Sequence, residues 1–77
     1  MEASKMPRKY IDDRGWKYQV MPGLGSGSFK ARYQRADRQG GDGWKGVASL
    51  PWRNNARDAQ ADLDQLAAKK GWKEWNG

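Results

Sequence analysis

The sequence predicts an α+β domain: a three-stranded antiparallel β-sheet packed on one face by a single C-terminal α-helix, a βββα arrangement. Three observations carry that expectation. A helical period with matching start and stop signals occupies residues 55–72. Two runs of two-residue alternation flank a glycine-rich connection. A third apolar run lies between a Gly/Asp-rich loop and Pro51.

In chain order, residues 1–10 show no period and contain Lys5, Arg8 and Lys9 around Pro7, so they read as a flexible basic arm. Residues 11–77 then form one domain, entered through a turn that Asp12, Asp13 and Gly15 supply. The first strand is expected over 16–21, with Trp16, Tyr18 and Val20 on one side and Lys17, Gln19 and Met21 on the other. Pro22 ends it, and residues 23–27 make a hairpin loop. That loop has glycines but no P-loop lysine, and a strand follows it rather than a helix, so it offers no phosphate site of that kind.

The second strand is expected over 29–34. Phe29, Ala31 and Tyr33 point inward, and Lys30, Arg32 and Gln34 point outward. Residues 36–43 make the next loop. The third strand, 44–50, alternates less cleanly. Trp44, Gly46, Ala48 and Leu50 are assigned to the helix side, with Lys45, Val47 and Ser49 outside, and a slip of one residue would reverse all seven.

The helix has the clearest signals. Ala56, Ala59, Leu63, Leu66 and Ala67 fall on one face. Asn55 is a suitable N-cap, with Asp58 three residues on. Lys69 and Lys70 sit in the last turn, Gly71 fits the left-handed position after it, and Trp72 can fold back on Ala67. An alanine-rich face requires a close partner, and the sheet is the one candidate.

Seventy-seven residues make one domain near the lower limit for a self-sufficient core. Without cysteine or histidine, disulfides and the usual zinc sites are excluded as staples, so five tryptophans, three tyrosines and one phenylalanine must supply the burial. No apolar run approaches the ~20 residues of a membrane span. A cytoplasmic location is expected, with no membrane partner and no cofactor.

Fifteen basic residues against nine acidic ones leave +6, and residues 1–45 hold ten of the basic and five of the acidic, a net +5. One helix covers one sheet face. On the other, Lys17, Gln19, Lys30, Arg32, Gln34 and Lys45 are expected beside Met21, Val47 and Ser49, with no carboxylate among them. Solvated faces usually mix both signs. Lysine and arginine neutralise phosphates, arginine and glutamine also read base edges, and a narrow sheet enters the major groove. Duplex DNA is the expected partner, with Lys5, Arg8 and Lys9 of the arm adding phosphate contacts.

Three strands followed by a capped, alanine-rich helix resemble the AP2-type DNA-binding domain and the related arm-binding domains of phage tyrosine integrases. The closest local similarity is the acidic-alanine helix of residues 56–64, followed by the Phe29-Lys30-Ala31-Arg32-Tyr33 strand. The resemblance spans residues 16–72 and implies DNA binding through the exposed sheet, with Lys17, Lys30 and Arg32 as matched positions, in a phage or mobile element. The paired arginines typical of the plant domain's first strand are absent, Lys17 and Gln19 standing there instead.

An enzyme is not expected. There is no histidine or cysteine to act as base or nucleophile, no paired carboxylates in a pocket, and no small-molecule substrate is implied. The alternative is a small protein-interaction or inhibitor module, because Arg, Trp, Tyr and Met favour protein interfaces. A third reading, single-stranded nucleic acid, requires aromatic rings on the exposed face. The expected register puts them inside, and a sheet-face position for Trp44 would favour that reading.

Overall fold

A computed structural model describes residues 8–23 and 27–75. The chain is a small α+β unit with a five-stranded antiparallel sheet and one C-terminal helix. The strands are β1 (Tyr10–Ile11), β2 (Lys17–Pro22), β3 (Phe29–Gln34), β4 (Lys45–Gly46) and β5 (Lys73–Glu74), and α1 spans Ala56–Lys70 between β4 and β5. Their order across the sheet is β4-β3-β2-β1-β5. Two strands thus extend the expected meander. Both are only two residues long, too short for an alternation pattern to register in the sequence.

The helix signals act as the residue types require. Asn55 Oδ1 accepts the Asp58 amide at 2.8 Å, and Asn55 Nδ2 donates back to Asp58 Oδ2 at 3.2 Å. Gly71 adopts φ 76°, which a Cβ would oppose, and its amide and that of Trp72 both donate to the Ala67 carbonyl. Ala59, Leu63 and Ala67 form the buried stripe, Leu66 is half-buried, and Ala56 at the first turn is exposed. Arg53 makes a two-point ion pair with Asp62 at 2.7 and 2.9 Å, fixing the entry segment to the helix.

Packed beneath α1 are Tyr10, Tyr18 and Ala31, with Leu63 and Ala67 from the helix closing the core. Tyr18 stacks on Trp72 at 3.8 Å and 14°, while Trp16 stacks on Tyr33 at 5.5 Å and 10°. The arm therefore ends earlier than expected. Tyr10 is a core residue, and β1 lies between β2 and β5, with Tyr10 opposite Tyr18 and Glu74. A lone tyrosine between Lys9 and Ile11 gives no period, so only the tertiary pairing reveals the strand.

The turn that follows is built on Asp12. Its carboxylate accepts from the Tyr18 hydroxyl at 2.7 Å, from the Arg14 and Trp16 amides at 2.9 and 3.0 Å, and from the Arg14 guanidinium. Burial alone would raise its pKa. The hydrogen bonds from Tyr18, Trp16 and Arg14 outweigh burial and hold it below the usual carboxylate value.

The third strand is shorter than expected and its register is slipped by one. Arg32 faces Gly46 and Tyr33 faces Lys45, so Gly46 lies on the side away from the helix and Lys45 on the helix side, exposed at the sheet margin. Alternation puts Trp44 with Gly46. Val47 and Leu50, not Ala48, pack on the core. The cause is visible in the backbone. The Val47 amide donates to the Ala31 carbonyl and the Leu50 amide to the Val47 carbonyl, which bends the chain into a turn after two paired residues. Gly46 lies beside Lys30 on the open face, where a Cβ would stand 3.4 Å from the Lys30 Cε, an ordinary contact.

Two predictions follow from this packing. Leu63, fully enclosed, should cost about 2–5 kcal/mol on replacement by Ala, and half-buried Leu66 clearly less, measured by urea unfolding. Burial, then the hydrogen bonds to Asp64 and Asp12, push Tyr10 and Tyr18 up to about 12. A raised phenol stabilises the fold below the unfolded value of about 10 and loses that contribution as pH rises toward 12. Asp12, being depressed, contributes above about pH 4 and loses its contribution as pH falls through its folded value. The urea midpoint should therefore fall at both extremes, and Asp12→Asn should flatten the acid limb.

Candidate nucleic-acid interface

Antiparallel pairing places directly opposed residues on the same side, so the register lays out the open face in transverse rows. One row runs Lys73, Ile11, Lys17 and Gln34 across β5, β1, β2 and β3. The next runs Gln19, Arg32 and Gly46, and alternation adds Lys9 and Trp75, joined by the Trp75 amide to the Lys9 carbonyl at 2.7 Å. The third holds Met21 and Lys30, with Trp52 beside Lys30 because Phe29 bridges Arg53. Lys9, Lys17, Lys30, Arg32 and Lys73 share this face, and no Asp or Glu stands at any of these positions.

The indole rings belong to the same surface. Lys9 Nζ and Lys17 Nζ lie 5.1 and 4.5 Å from the Trp75 ring centroid. Lys30 Nζ and the Arg32 guanidinium lie 5.4 and 5.8 Å from that of Trp52. Each pair of like charges is held near one ring, and among the described residues none of these four cations has a carboxylate within 4 Å. The Arg32 Nε–H is enclosed and has no acceptor among the described residues.

Of the residues expected at the site, Lys17, Gln19, Lys30 and Arg32 come together on this face, and Lys9 joins them from just before β1. Three others do not. Gln34 occupies an open-face position but is 1% exposed, and its Nε2 donates to the Gly40 and Asp42 carbonyls at 3.0 and 2.8 Å. It holds the 35–43 loop over the end of the sheet, assisted by the Trp44 indole on the Gly40 carbonyl at 2.9 Å. Lys45 is on the helix side through the register slip. Arg8 approaches Asp64 of α1 at 3.7 Å, in a cluster where the Tyr10 hydroxyl donates to Asp64 at 2.6 Å. Lys5 lies outside the described residues.

The expected site does not include Lys73, Trp52 or Trp75, although Trp52, at the strand–helix junction, is open on sequence alone to either capping the core or rimming a binding surface. The strand holding Lys73 has no pattern of its own, and Trp52 is placed by one isolated bridge. The signal for Trp52 was its position directly before Arg53, whose pairing with the helix commits the preceding side chain to the opposite side.

Among the described residues no helix is long and apolar enough to cross a membrane, and no group of three or more metal-ligating side chains stands together. No family model matches the chain, and no curated protein or solved structure matches it.

Gln34→Ala should lower stability by about 1–3 kcal/mol, since two loop carbonyls lose their donor in an enclosed place. Equilibrium urea unfolding checks this. An unchanged midpoint would return Gln34 to the exposed surface.

Proposed function

We propose that the chain is a small DNA-binding module, comparable to AP2-type and integrase arm-binding domains, that lays the open face of its sheet on duplex DNA. The observation that carries this reading is the set of transverse rows holding five cations and no carboxylate. Lys9, Lys17, Lys30 and Lys73 take the phosphates as point charges. Arg32, at the centre with Gln19 opposite, takes base edges, since a guanidinium spans guanine O6 and N7. On this reading the module is a binder and not an enzyme, works in the cytoplasm associated with the nucleoid, and belongs to a phage or mobile element.

A protein partner is the second reading. It is favoured by Trp52, a tryptophan 51% exposed beside an arginine, as interface anchors often are.

Fluorescence anisotropy with random and selected duplexes separates the two. Log affinity should fall linearly with log salt by about 0.9 per phosphate contact. Arg32→Ala should cost about 1–3 kcal/mol at a preferred site and flatten the preference, while Lys30→Ala should weaken all sequences and reduce the slope by about one. Lys45→Ala, on the helix side, should leave binding unchanged. Absence of duplex binding at low salt would overturn the proposal.

A further inference from the structure

We propose that Trp52 is a stacking platform for an unpaired base, so that the open face prefers DNA in which a single-stranded segment adjoins the duplex. This rests on the duplex reading above and adds a second structural class to what the site recognises.

The position of the ring is built in. Phe29 and Arg53 exchange two backbone hydrogen bonds at 2.8 Å, and Arg53 is clamped to Asp62, so the backbone beside Trp52 is held from the sheet and from the helix. The ring itself rests on Gly23, where any Cβ would collide with its six-membered portion. Even so, the side chain stays 51% exposed, and it is the exposed large hydrophobic residue among the described ones. A ring held in place yet left in water loses little freedom when it is covered.

Its neighbours define what covers it. Lys30 and Arg32 converge on the ring without a carboxylate among the described residues. Cations beside an exposed aromatic ring are the combination that takes a nucleic-acid strand by its phosphates and its bases together. In intact duplex each base face is already stacked on its neighbours, and freeing one costs a few kcal/mol. An unpaired base offers its face without that cost. Trp52 also sits at the outer side of β3, where residues 47–51 leave the sheet, so it flanks the Arg32 row rather than occupying its centre.

The test uses one labelled duplex in three forms: blunt, with a three-nucleotide overhang, and with the same overhang made abasic. The wild-type chain should bind the base-bearing overhang about 10-fold more tightly than either other form, with quenching of tryptophan emission. Trp52→Ala should bring the base-bearing and abasic overhangs to equal affinity, whatever it costs in blunt-duplex binding through Lys30 and Arg32, and Trp52→Phe should retain most of the advantage. Equal wild-type affinity for the base-bearing and abasic overhangs, or an advantage that survives Trp52→Ala, would overturn the stacking role. That comparison needs no variant, so it stands even if Trp52→Ala fails to fold. Blunt-duplex binding without a base advantage refutes stacking and leaves the duplex reading intact. A base advantage with no binding to blunt duplex refutes the duplex reading and keeps Trp52 as the platform. No binding to any form refutes both.

Discussion

Tyr18 is the residue on which the rest of the structure depends. From the middle of β2 its ring stacks on Trp72, just past the helix end, and its hydroxyl donates to the buried Asp12 of the preceding turn. One side chain thereby fixes the first turn, the central strand and the helix exit. Few apolar residues are available, and the core is completed by alanines, one leucine and a second tyrosine. Large flat rings suit that setting because they bury much area on few contacts, while small residues on the helix let it approach closely.

The same economy divides the sheet into two chemically distinct sides. A single helix shields one face, and among the described residues no second helix or sheet covers the other. That side is therefore free to concentrate lysine and arginine at positions where burial would forbid them. The cations are not dispersed in solvent. Several have their charged groups near the rings of Trp52 and Trp75, which reduces the freedom lost when an anion arrives.

Much of this was legible in the residues, for physical reasons that also explain what was not. The helix cap, stripe and terminator are local features of 55–72, so they could be read without knowing the sheet. The second strand was legible to the residue because strict alternation over six positions leaves one register. β4 has two paired residues, and Trp44-Lys45-Gly46-Val47 fits either side equally well, so the direction of Lys45 depended on a backbone bond from Val47 that no pattern announces. β1 and β5 are invisible for the same reason, with two paired residues each, β1 held between β2 and β5 and β5 held by β1 alone. Four of the expected site residues, Lys17, Gln19, Lys30 and Arg32, lie on long strands and were placed correctly. Gln34 shows the limit: its side of the sheet was right, but the loop that encloses it acts from six and eight residues away.

The strand order has a consequence for how the chain reaches this state. β1 is flanked by β2 and β5, so the first strand in chain order receives its second neighbour only from the last. Until β5 emerges Tyr10 has an incomplete surround, and neither the Trp72 stack nor the Trp75 bond to Lys9 can form before those residues have left the ribosome. The sheet is thus closed by its last strand, through a pairing that spans the length of the described chain. Partial chains emerging from the ribosome would display the basic strands β2 and β3 before the sheet is complete.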